Sequence, residues 1–381
     1  MRLMIPVEED AQTALRDFLK RLLQVELVDA LLIPVADRGG SVTPALVTDP
    51  DLLDQAQPLA PVMGTNAARA AAWCTAPGYL SEVGSRRRVG ALLRSCELRA
   101  LVELAKLQQA SLSSLLTIGV DCLSTYDVSA YAAMLANGGP GLADLFAGAR
   151  DGDISPREGY RFREACEMCE RPHIEAADIT LELFGADLSA GIPVRLSEAV
   201  ADEMADALKL SEADSNGARD AVIDALVAAR TVVRDQRLAE IRARLDNETI
   251  EGVFAACVRC HNCMEVCPIC YCKTCLFKSP TFDHGPAKLL SWADRKGLYR
   301  LPADRMLFHL TRLNHMALSC VGCGVCSSGC MAGLPVSLIF RAIGEQVQRS
   351  FGYVPGRDVD ESLPMITFSE EEWEEVGEEY V

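Results

Sequence analysis

The sequence predicts two unlike halves: an α/β layer first, then a mostly α-helical, cysteine-rich module. Three observations point there. Short apolar runs alternate with amphipathic stretches through the first half. From about residue 195 the apolar spacing becomes three and four, as helices require. Eleven of the sixteen cysteines lie between positions 257 and 330.

The chain has 381 residues and 49% hydrophobic content, enough for two or three packed domains. No apolar run approaches the ~18 residues of a membrane span. The opening "MRLMIPVEEDAQ" lacks a signal-peptide core, so a cytoplasmic protein is expected. That compartment keeps thiols reduced, and sixteen clustered cysteines therefore point to metal, not disulfides. A net charge of −17 argues against nucleic acid as partner.

Residues 8 to 24 read as an amphipathic helix. "VDALLIPV" (28–35), "RVGALLR" (88–94) and "LLTIGVD" (115–121) read as buried strands. Between the last two lies "CELRALVELAKLQQAS", a helix by its spacing, so strand, helix, strand suggests parallel pairing. "ANGGPG" (136–141) and "ARDGDISPREG" (149–159) read as loops. Two or three helices are expected over 195–247. The resulting division is 1–195 α/β, 196–247 helical connector, 248–347 cysteine module and 348–381 acidic tail. The part from Ser369 carries seven glutamates and no base, and reads as a solvated end.

"CVRCHNCMEVCPICYCKTC" spans 257–275. Cys257, Cys260, Cys263 and Cys267 are spaced C-x2-C-x2-C-x3-C, with Pro268 next, and Cys320, Cys323, Cys326 and Cys330 repeat that spacing. This is the ferredoxin run for [4Fe–4S] clusters, whose fourth cysteine turns to the other cluster. One cluster should therefore use Cys257, Cys260, Cys263 and Cys330. The second should use Cys320, Cys323, Cys326 and Cys267. Met331 follows Cys330 where a proline is usual. His261, His284, His309 and His315, in or near the runs, read as solvent or packing residues. The 52 residues from Pro268 to Ser319 carry helical patterns in "PAKLLSWADRKGLY" and "ADRMLFHLTRLNHMAL", and the second run leads into "PVSLIFRAIGEQVQRSFG", again helical. The module thus resembles the α-helical ferredoxin of heterodisulfide reductase and succinate dehydrogenase iron–sulfur subunits.

Cys96 and Cys122 fall at carboxyl ends of predicted strands, and Cys166 and Cys169 form a C-x2-C. Four thiolates from three segments could converge on a third cluster, since ligand sites gather at such strand ends. The alternative is buried structural thiols. Cys270, Cys272, Cys275 and Cys74 remain. They could bind a fourth cluster or zinc, or pack around the second cluster and tune it. Gly64, Thr65 and Asn66 precede an alanine-rich stretch, where Thr65 or Asn66 could cap a helix and leave amides for a phosphate. "SRRR" (85–88) adds local positive charge. A plain cap and a solvated turn are the alternatives.

Cys96 before "RALVELAK", Cys122 after a strand, and Cys166/Cys169 followed by Ala177–Asp178–Ile179 resemble the beta-subunit family of coenzyme F420-reducing hydrogenase and formate dehydrogenase. Ser95 stands where that family usually has proline, and "TLELF" lies between "ADI" and Gly185. The resemblance implies an α/β flavin/iron–sulfur domain with one [4Fe–4S] cluster and FAD, fused to the two-[4Fe–4S] ferredoxin domain. Three clusters are expected, or four if the remaining cysteines ligate. It implies an electron-transfer oxidoreductase subunit of anaerobic metabolism. Its partner would be a larger catalytic subunit of formate dehydrogenase or hydrogenase type, or heterodisulfide-reductase-like subunits. The alternative is a self-contained flavin oxidoreductase taking hydride from NAD(P)H or a deazaflavin.

Overall fold

The computed structural model describes residues 1–75, 88–139, 141–214, 217–364 and 366–367. An eight-stranded mixed sheet organises the first half. Its strands are β1 (Arg2–Pro6), β2 (Ala30–Ala36), β3 (Val42–Val47), β4 (Val89–Arg94), β5 (Leu115–Val120), β6 (Ile179–Leu181), β7 (Gly191–Leu196) and β8 (Ser211–Glu212). They lie in the order β3-β2-β4-β5-β6-β7-β1-β8. β2, β4, β5 and β6 are parallel, and the flanking pairs are antiparallel. β4 and β5 are buried throughout, which explains why both read as unbroken apolar runs.

Both faces of the sheet are covered. On one face lies the helix Ala11–Gln24, whose apolar spacing buries Leu15, Phe18, Leu19 and Leu22. Each such side chain contributes about 1.5–3 kcal/mol on full burial. Asp10 caps this helix by accepting from the amides of Gln12 and Thr13. On the other face the helix Ser95–Lys106 follows β4 without a loop, and Glu97 accepts from the Arg94 amide to close the turn. That second core runs on without a break into the cysteine module, through Leu101, Met168, Phe254, Phe308 and Ile339.

The module holds the expected helices, Pro286–Lys296, Arg305–Met316 and Val336–Ser350. The long helix Arg219–Asn247 packs on the last of these. The region expected to be a helical connector holds two helices, as expected, Ala201–Leu208 and Arg219–Asn247, but between them lies β8, which pairs with β1. Two residues are too few to show a period, so only the partner strand makes them a strand.

Of the stretch expected as an acidic tail, residues 353 to 363 dock on the first half. Tyr353 and Leu363 are buried, the Tyr353 hydroxyl donates to Glu103 at 2.5 Å, and the Gly356 amide donates to Glu103 at 2.7 Å. The glutamate-rich residues 369–381 lie outside the described residues, as do residues 85–87 of "SRRR".

Candidate functional site

The loop after β5 begins with Asp121, which is buried and receives five hydrogen bonds. The amides of Ile174, Leu183 and Phe184 donate to it, and Arg219 donates through both terminal nitrogens. This fixes Cys122, whose own amide donates to the Pro172 carbonyl. The segment carrying Cys166 and Cys169 is thereby drawn alongside. The Arg163 amide donates to the Thr125 carbonyl, and Cys166 Sγ lies 3.1 Å from Thr125 Oγ1. Cys96 sits at the start of the helix Ser95–Lys106, two residues past the end of β4. These four cysteines line one cavity of about 290 Å³, together with Cys320 and Cys323 of the module.

Two features press the module this close. Gly324 has φ +74°, and a Cβ there would lie 2.3 Å from the Cβ of Ala165. Only glycine permits both the backbone angle and the approach. Arg163, buried to 3% exposure, donates to the Cys323 carbonyl at 2.8 Å and to Ser328 Oγ at 3.1 Å. Arg99 donates to the Pro355 carbonyl at 2.9 Å, and Arg341 to the Met168 carbonyl at 3.1 Å. Three arginines thus staple the two halves around the cysteines.

Within the module, Cys257, Cys260, Cys263 and Cys330 line one small cavity with His309 and Phe308. The charges of Cys267, Cys320 and Cys323 act on Cys326, and Cys267 acts on Cys320 and Cys323. Each run's fourth cysteine therefore lies with the other run's first three. Burial pushes Cys323 and Cys122 up to about 12 and Cys263 to about 11, and lifts Cys96 and Cys326 well above the usual thiol value. Neighbouring thiolates add to each rise. Such sets are costly as free thiolates in a low-dielectric interior, and iron cations would relieve them. Among the described residues, no three Cys, His, Asp or Glu side chains gather closely enough to chelate a single ion. Four thiolates in each set match the ligand number of a [4Fe–4S] cluster.

Cys270 lies near Cys267, Cys272 and Cys275, and burial pushes it up to about 12. Cys275 Sγ meets the thioether of Met264 at 3.7 Å. Burial alone raises Cys74, which packs among Ala68, Ala71 and Leu101. No neighbouring thiol contributes to that rise.

The phosphate cradle expected at Gly64, Thr65 and Asn66 is filled differently. Asn66 Oδ1 accepts from the Ala68 amide at 3.0 Å, and Glu97 accepts from the Ala67 amide at 3.1 Å. A carboxylate already holds the place of an anion, and the crevice beside these residues is only about 20 Å³. The large cavity is elsewhere. About 1500 Å³ opens beside the helix Ser95–Lys106, with Arg88, Thr117, Ala177, Asp178 and Arg357 in its wall. Ser95 and Arg99 line both this cavity and the cysteine cavity.

Sequence reasoning read His309 as a solvent or packing residue and passed over Arg312. His309 Nε2 lies 3.2 Å from Cys257 Sγ, and Arg312 Nη1 donates to Cys263 Sγ at 3.0 Å. Burial, with Arg312 and Arg305 nearby, pushes His309 down to about 3. The signal was available in the i, i+3 spacing of the two residues on a helix between the runs.

No protein-family model matches the chain. It is similar to the F420-dependent formate dehydrogenase subunit beta of Methanocaldococcus jannaschii, 24% identical over 383 residues, covering 91% of this chain and 92% of that one. It is also similar to the F420-dependent formate dehydrogenase 1 subunit beta of Methanococcus maripaludis. That protein is 24% identical over 336 residues, covering 76% of this chain and 78% of that one. A chain of the F420-reducing [NiFe] hydrogenase complex from Methanosarcina barkeri aligns at 11% identity and a TM-score of 0.40, covering 59% of this chain and 85% of that one. That structural likeness is too loose to carry an argument. The curated relatives are oxidoreductase subunits, and the resemblance drawn from Cys96, Cys122, Cys166 and Cys169 finds its match in them. No helix among the described residues is long and apolar enough to cross a membrane.

Proposed function

We propose that this chain is the electron-transfer beta subunit of a formate dehydrogenase-like or hydrogenase-like complex. It carries three [4Fe–4S] clusters and FAD. One observation supports this most. The cavity lined by Cys96, Cys122, Cys166 and Cys169 is also lined by Cys320 and Cys323, so a first-domain cluster would sit against the module. From there a one-electron path leads to the set Cys320, Cys323, Cys326 and Cys267, and on to Cys257, Cys260, Cys263 and Cys330.

FAD is assigned to the 1500 Å³ cavity, which exceeds the roughly 300–1,000 Å³ of common ligand pockets. Arg88, Arg99 and Arg357 in its wall supply charge for a diphosphate. A bound flavin would couple two-electron to one-electron chemistry. The protein's own work is to hold the cavity next to the cysteines through the shared Ser95 and Arg99. Substrate chemistry is assigned to a larger catalytic partner of formate dehydrogenase or hydrogenase type.

The test is an anaerobic assay of the pure chain, alone and with its catalytic partner. Alone it should pass electrons from a reductant to artificial dyes and leave formate and hydrogen untouched. Oxidation of either by the chain alone would sink the subunit reading. NAD(P)H–dye reduction by the isolated flavin-loaded chain would favour a self-contained oxidoreductase instead.

A further inference from the structure

One face of the helix Arg305–Met316 reads the ligands of the first run in turn. His309, Arg312 and Met316 occupy positions i, i+3 and i+7, and share a side of the helix. His309 Nε2 lies 3.2 Å from Cys257 Sγ, Arg312 Nη1 lies 3.0 Å from Cys263 Sγ, and Met316 Sδ lies 3.8 Å from Cys267 Sγ. All three side chains are buried. Phe254 stacks on His309 at 3.7 Å and holds the ring plane. Arg312 also donates to the Cys263 carbonyl at 2.9 Å and lies over the Phe340 ring at 4.8 Å.

Arg312 is 4% exposed, and no carboxylate among the described residues forms an ion pair with it. A buried, unpaired guanidinium is costly. The anionic neighbours that favour its charge are Cys263, Cys267, Cys326 and Cys270. The counter-charge of Arg312 is therefore thiolate, and the guanidinium lies between the two ligand sets of the module. It bonds directly to a sulfur of only one of them. The contact at Cys267, in the other set, is an uncharged thioether.

We propose that His309 and Arg312 are positioning residues that raise the reduction potential of the outer cluster, the one expected on Cys257, Cys260, Cys263 and Cys330. Each reduction adds one negative charge to a cluster. A donor hydrogen-bonded to cluster sulfur, and a fixed cation beside it, stabilise the reduced state more than the oxidised one. The thioether at Cys267 offers neither; the charges beside the inner set, Arg163, Arg99 and Arg341, donate to backbone carbonyls instead. Cys260, exposed in the structure, puts this ligand set at the solvent-facing side of the module. The inference rests on the cluster reading above and adds which residues set the outer potential.

The experiment is a potentiometric titration of the anaerobically purified full chain, followed by electron paramagnetic resonance, with Arg312→Gln, Arg312→Lys and His309→Phe. Arg312→Gln should lower the outer midpoint most, with about a tenfold fall in the reduced-to-oxidised ratio at the wild-type midpoint, or about 59 mV for one electron. The inner midpoint should fall less. His309→Phe should lower only the outer one, and Arg312→Lys should restore much of the loss. If Arg312→Gln fails to hold its outer iron, Arg312→Lys and His309→Phe decide by the same shifts. Full iron with unmoved midpoints in these variants overturns the inference alone. If no signal of the wild-type chain is removed by Cys257→Ala, the cluster reading fails and the inference falls with it.

Discussion

The two cysteine systems of this protein are built in opposite ways. In the module, three of each four cysteines come from one turn-rich run, and only Cys267 and Cys330 cross between the sets. In the first half, four cysteines come from three segments separated by up to 73 residues, from Cys96 to Cys169. The run needs local backbone geometry. The first-half set needs the whole sheet, the Asp121–Arg219 pair and the module pressed against it. A site written in spacing should tolerate distant damage, whereas a site assembled by packing should not.

The largest expected effect falls on the module. Three clusters imply about 12 iron atoms per chain, and four imply about 16. Cys330→Ala should remove about four of them and the signal of the cluster sharing Cys257, Cys260 and Cys263. Loss instead of the signal tied to Cys320, Cys323 and Cys326 would break the crossed arrangement. A total near eight iron atoms in the wild-type chain would remove the first-half cluster.

Next comes the buried pair of the first half. Arg219→Met leaves Asp121 uncompensated at 2% exposure. Stripping one partner from such a pair costs about 3–5 kcal/mol. Denaturant unfolding of the variant should show a loss of that order, with iron lost first from the Cys122 set. A wild-type midpoint would show that Asp121 does not organise that loop.

Gly324→Val probes the seam between the systems. Forcing a side chain against Ala165 should cost about 1–3 kcal/mol. The first-half cluster should be lost or weakened while the ferredoxin signals persist. Equal loss of all signals would mean that the two systems are one folding unit, and the contrast would fail.

The smallest effect belongs to Cys74. It packs as a small apolar side chain, so Cys74→Ala should leave iron unchanged and cost no more than about 1 kcal/mol. A drop of about four iron atoms would place Cys74 among the ligands after all.

The sequence determined by itself what depends on near neighbours. Two runs with fixed spacing name the module's proposed ligands. The apolar runs at 89–94 and 115–120 became buried parallel strands, because strands covered on both faces have no polar alternation to hide them. The helices Arg305–Met316 and Val336–Ser350 followed from their periodicity. The tertiary structure alone decided what depends on distant partners. β8 exists only because β1 lies beside it, and residues 353 to 363 leave the tail because Glu103 offers them a buried acceptor. The stretch after Gly64, Thr65 and Asn66 offered amides for a phosphate in one dimension, but Glu97, thirty residues from Ala67, accepts from the Ala67 amide, and Asn66 accepts from that of Ala68. His309 and Arg312 looked like ordinary helix residues until the run folded back over their face. Spacing acts through a few rotatable bonds and is legible in one dimension. Convergence depends on which surfaces the core brings together, and a single sequence does not write that locally.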